Sequence, residues 1–137
     1  MTRRGSLQHS GAALLALLVS PVWTGAAAAD EADVVRARAS CNAESVCRFK
    51  VTVRHADVGW SHYADRFEIL GPEGEVLGTR VLRHPHVHEQ PFTRELGGVE
   101  VPPELEKVTI RARDSVHGYG GKAREVRLER PADPDAP

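Results

Sequence analysis

No apolar run in this chain is long enough to cross a bilayer. The longest, Gly11-Ala-Ala-Leu-Leu-Ala-Leu-Leu-Val19, has nine residues, where a spanning helix needs about 20. Arg3 and Arg4 precede it, and small residues through Ala26-Ala27-Ala28-Ala29 follow. A positive end, a short greasy segment and an A-x-A-like site form the layout of a secretory signal peptide. Cleavage near Ala29 is expected, giving a leader over 1–29 and a mature chain from Asp30. The opening "TRRGSLQ" loosely resembles a twin-arginine export signal, with Ser6 where such signals usually hold Phe. Cys41 lies well past the apolar run, so no lipoprotein cut site is expected there. The expected location is a periplasm or the outside of the cell, with no membrane insertion after cleavage.

Excess charge of one sign is also absent. Without Arg3 and Arg4, 16 basic residues face 19 acidic ones, interspersed along the chain. That balance offers no electrostatic footprint for nucleic acid or for an anionic membrane. Cysteine is scarce, with only Cys41 and Cys47, six residues apart. An oxidising compartment favours a disulfide that ties a hairpin. A redox-active or metal-binding thiol pair is the alternative.

A helical stripe is lacking as well, and period-two alternation takes its place. Phe49, Val51 and Val53 alternate with Arg48, Lys50, Thr52 and Arg54. Val108, Ile110 and Ala112 alternate with Thr109, Arg111 and Arg113 in the same way. Further strands are predicted at 33–40, 65–71, 76–83, 92–101 and 122–130. Turn chemistry separates them at Gly71-Pro72-Glu73-Gly74, Gly97-Gly98, Pro102-Pro103 and Gly118-Tyr119-Gly120-Gly121. The expected fold is all-β, an immunoglobulin-like antiparallel β-sandwich of about seven strands. It would occupy residues 30–130, with a disordered tail over 131–137.

If successive strands reverse direction, the loops 56–64, 84–91 and 114–121 share one end of the body. Every histidine of the mature chain (His55, His62, His84, His86, His88 and His117) then falls at that end, and the cysteines fall at the other. His55 and Asp114 continue the inward faces of their strands, where an unpartnered polar group is costly. A bound cation would satisfy both. Imidazole and carboxylate suit a divalent or trivalent cation, copper and zinc among them, and His84 and His86, alternating on extended backbone, can point the same way. Asp57 and Asp65 offer further carboxylates on the first loop. Exposed loops also collect polar residues for no purpose, and His88 reads best as one of these. Trp60 and Tyr63 read as packing over the core end. Gly118, Gly120 and Gly121 read as turn geometry, because no helix follows them to cradle a phosphate.

The stretch from His55 to Leu70, "HADVGWSHYADRFEIL", resembles the segment of superoxide reductases (desulfoferrodoxins) in which two histidines precede an aromatic and an alternating strand. Asp114-Ser-Val-His117-Gly-Tyr119 is similar to that family's closing Cys-Asn-x-His-Gly motif. "LGTRVL" and "PFTREL" fall between the two in order, so the resemblance covers residues 47–128. It implies an immunoglobulin-like sandwich with an iron site of four histidines and one cysteine thiolate. His55, His62 and His117 fall on ligand histidines, and Asp114 falls on the cysteine. The family's remaining histidine and a lysine beside it lie upstream, where the mature chain has no histidine; His84 or His86 is the candidate replacement. A carboxylate in place of the thiolate donates electron density more weakly and should change the reduction potential.

The expected ligands are therefore His55, His62, His117, Asp114 and one of His84 or His86. The expected function is that of an exported metal-binding protein, iron first, with possible reactivity toward superoxide. Metal storage or delivery is the non-enzymatic alternative. A protein or glycan recognition surface built on Trp60, Tyr63, Arg94 and Tyr119 is another.

Overall fold

The computed structural model describes residues 5, 11–21, 31–135 and 137. The arginine pair and the expected cut near Ala29 lie outside them. Residues 11–21 carry no strand or helix and are exposed. Among the described residues no helix is long and apolar enough to cross a membrane.

Seven strands follow one another as β1 (Asp33–Cys41), β2 (Val46–Arg54), β3 (Ala64–Leu70), β4 (Val76–Val81), β5 (Phe92–Glu100), β6 (Lys107–Asp114) and β7 (Arg124–Glu129). They form one mixed sheet in the order β4-β3-β6-β7-β1-β2-β5, rolled nearly into a barrel. The all-β class stands as expected. One pairing departs from the antiparallel expectation: β1 and β7 run parallel, through Ala39↔Leu128 and Ser40↔Glu129. Strict reversal at every connection gives the first and seventh strands the same direction, so when they meet they must run parallel. On the far side, β4 and β5 approach without a ladder. A Cβ on Gly78 would stand only 3.0 Å from Val99, and Arg80 Nη1 donates to the Glu95 carbonyl at 3.0 Å.

The alternation that defines each strand also defines the core. Phe49, Val51 and Val53 of β2, Phe67 and Ile69 of β3, and Ile110 of β6 are all fully buried. Each such side chain contributes roughly 1.5–3 kcal/mol by leaving water. Their neighbours Arg48, Lys50 and Arg54 stay outside. Cys41 and Cys47 stand opposite each other at the closed end of the β1–β2 hairpin and are joined as a disulfide. Joined in this way, neither sulfur is a free thiol.

Trp60 is the main departure in packing. It meets Tyr63 edge to face at 5.5 Å but remains 68% exposed, so it does not cap the core. Ile110 lies at the centre of the packed interior. Ile110→Ala is expected to lower the unfolding free energy by about 2–5 kcal/mol, read from urea denaturation monitored by Trp fluorescence.

Candidate metal centre

Reversal at each connection brings the loops 55–63, 82–91 and 115–123 to one pole. The register of β3 against β6 then does the local work, because Ala64 pairs with Asp114. His62, two residues before Ala64, is thereby set beside the end of β6. Tyr63 N–H donates to Ser115 Oγ at 3.1 Å, and Ser115 N–H returns to the Tyr63 carbonyl at 2.9 Å.

His55 leaves β2 in the inward phase and is 2% exposed; Asp114 closes β6 in the same phase and is fully buried. His55, His62 and Asp114 each offer a ligand atom, and these atoms lie within 4.8 Å of one another. Such a group can hold a metal ion. His62 Nε2 is 3.1 Å from Asp114 Oδ1. The rings of His55 and His62 meet at 4.7 Å, and those of His62 and His117 at 4.9 Å. His117 Nδ1 lies 3.2 Å from Asp114 Oδ1, at the solvent side of the cluster.

Asp114 is unevenly used. Its Oδ1 accepts the backbone N–H groups of Val116 at 2.9 Å and His117 at 2.6 Å, besides facing both imidazoles. Its Oδ2 is buried and has no hydrogen-bond partner among the described residues. Burial alone would raise the carboxyl pKa; the N–H groups of His117 and Val116, then His62 and His117, bring it below its ordinary 3.8. The tight turn that supplies those N–H groups depends on Gly118, whose φ of +75° suits glycine. Gly118 also bonds back to Asp114 in both directions.

The other expected ligands are placed elsewhere. His84 is exposed, and its Nδ1 turns to the Pro85 carbonyl at 3.1 Å. His86 is 5% exposed and lies flat on Phe92, ring centres 4.0 Å apart. Neither of its nitrogens has a hydrogen-bond partner among the described residues. Burial first, then Arg94 and His84, hold its pKa below 6.5, so it packs as a neutral plate. Thus the structure gathers His55, His62 and Asp114, keeps His117 beside them, and sets His86 on the far side of Asp57, its Nδ1 4.0 Å from Asp57 Oδ2, with His84 against it. His88 is exposed, and Asp65 is engaged by Arg113. Asp57, by contrast, is fully buried at its side chain and within 2.5 Å of His55 Nδ1. Its placement follows from the His-x-Asp spacing just after β2.

The fold and site together define an all-β domain with a buried histidine–aspartate group. No family model and no solved structure matches the chain. A protein of Halomicrobium mukohataei named "Putative lipoprotein" is 38% identical over 99 residues, covering 72% of this chain and 48% of that protein. The chain therefore spans about half the length of the relative it matches.

The loop that carries His117 is anchored from the outer face. Tyr119 donates to Glu68 Oε1 at 2.6 Å, Arg111 Nε donates to Glu68 Oε2 at 2.9 Å, and the Arg111 guanidinium lies 3.9 Å over the Tyr119 ring. Burial alone would raise the Glu68 pKa, but Tyr119 and Arg111 outweigh it and hold it below 4.5. A carboxylate with a lowered folded pKa stabilises the fold above its ordinary value and loses that effect as pH falls through the lowered one. Wild type should exceed Glu68→Gln by about 1.5–3 kcal/mol at pH 7 and lose that advantage in acid. Urea unfolding of both proteins across the acid range checks this; a constant gap would refute it.

Proposed function

We propose that this chain is an exported metal-binding protein that holds one cation at its loop pole through His55, His62 and Asp114, with His117 at the solvent side. The observation that carries this reading is the buried Asp114 Oδ2, which has no donor among the described residues, on a carboxylate grouped with His55 and His62 so that one ligand atom of each lies within 4.8 Å of the others. Burying a carboxylate oxygen without a partner is costly, and a cation removes that cost. Iron is the favoured metal, because two histidines and one carboxylate with coordination positions left over suit ferrous iron. Zinc and copper remain compatible with the same donors.

An extracytoplasmic setting is supported by the disulfide, by the leader-like N-terminal segment and by the relative named as a lipoprotein. Reduction of superoxide is the activity that the resemblance implies. It would take one electron from ferrous iron and two protons, releasing hydrogen peroxide. A second reading, recognition of a protein or glycan at the same pole, is favoured by the exposure of Val58 (66%), Trp60 (68%) and Val116 (58%) around His62 and His117.

Metal loading tests the first reading. Purified protein, stripped and then loaded anaerobically with ferrous iron, should retain about one ion per chain. Saturation at about a hundredfold excess over Kd should stabilise it by roughly 2.7 kcal/mol, seen as a higher Tm. His62→Ala and Asp114→Asn should each lose most of the metal while keeping the β circular dichroism. Substoichiometric metal in wild type, for zinc and copper as well as iron, would refute metal binding. Oxidation of the loaded protein by one equivalent of superoxide would establish the redox arm. Stoichiometric metal inert to superoxide would favour storage or delivery.

A further inference from the structure

We propose that Asp57 is the positioning residue of this centre. It holds His55 by Nδ1 so that Nε2 is the nitrogen offered to the cation, and the 84–91 loop acts by locking Asp57 in place. This rests on the metal-binding reading above.

Asp57, unlike Asp114, has partners on both carboxylate oxygens. Its side chain is fully buried. Oδ1 faces His55 Nδ1 at 2.5 Å and accepts the Ala64 N–H at 3.0 Å, while Oδ2 accepts the His86 N–H at 2.7 Å. Both oxygens are therefore engaged, which suits a clamp better than a ligand. An ionised carboxylate only accepts hydrogen bonds, so the proton between the two groups sits on His55 Nδ1. The lone pair of that imidazole is then on Nε2. A ligand histidine commonly donates its other nitrogen to a carboxylate, which fixes tautomer and ring orientation and raises basicity.

The histidine-rich loop completes this arrangement through its backbone. His86 contributes its N–H to Asp57, while its ring packs on Phe92. Gln90 spans the gap, accepting the His55 N–H on Oε1 at 3.0 Å and donating from Nε2 to the His86 carbonyl at 3.1 Å. His55 is thus held twice from one loop, at its backbone by Gln90 and at its ring through Asp57. The His84-Pro-His-Val-His88 triplet serves the centre as a brace for the residue that aims a ligand.

The test uses the full chain with 15N-labelled histidine. In metal-free wild type, His55 should show the Nδ1–H tautomer by 15N NMR. Asp57→Asn leaves a single acceptor oxygen for two backbone N–H groups and the His55 ring, so His55 should lose its preference for the Nδ1–H tautomer. Ferrous affinity should fall about 10–100-fold. Asp114→Asn should lose metal yet leave the His55 tautomer unchanged, which separates aiming from ligation. Gln90→Ala, which leaves Asp57 intact, should weaken metal binding less than Asp57→Asn. An Nε2–H tautomer in metal-free wild type overturns the proposal directly, even if Asp57→Asn fails to fold. So does an Asp57→Asn protein that loses the tautomer preference and binds iron as wild type does. Wild type that binds no metal would overturn the functional reading instead, and this one with it.

Discussion

Reversal of strand direction at every connection is the constraint on which the rest of the molecule depends. It sends three loops to one pole and the disulfide hairpin to the other. It also requires β1 and β7, meeting at the seam, to run parallel. Within that frame the β3–β6 register places Ala64 opposite Asp114, so residues 52 apart in the chain, His62 and Asp114, stand side by side. A slip of one residue would turn Asp114 outward together with the apolar side of β6. The burial of the core and the assembly of the cluster are therefore one packing decision.

The pole contains two buried carboxylates with opposite surroundings. Asp57 is saturated by a ring nitrogen and two backbone N–H groups. Asp114 crowds its partners onto one oxygen and leaves the other without any among the described residues. Desolvation penalises both alike, so the difference in hydrogen bonding separates their roles. A fully bonded carboxylate stabilises a geometry, and a half-bonded one has capacity for a cation. The neutral, stacked ring of His86 follows the same logic, since an imidazole without partners is tolerated inside only when uncharged.

Much of this was legible in the residue order. The alternation of Phe49, Val51 and Val53 with cations located β2, and its continuation into His55 anticipated that this histidine turns inward. The same phase argument along Val108, Ile110 and Ala112 anticipated the burial of Asp114. The histidine triplet was less legible, because spacing counts donors and says nothing of which atom does the bonding. His86 reaches the centre through its amide, which every residue except proline possesses. Trp60 was misplaced for a related reason: size argues for burial, but a loop outside the ladder has no phase to dictate it.

The sequence by itself determined the all-β class, a strand count of about seven, and the pole to which the histidines go. These follow from period-two patterning, turn residues and parity, all of which are local properties of the chain. Only the tertiary structure decided which imidazoles meet, which carboxylate has donors on both oxygens and which on one, and that His86 joins the pole through Asp57 and not through the grouped ligand atoms. Those outcomes depend on strand register and loop closure, where shifts of an ångström or two exchange a ligand for a brace.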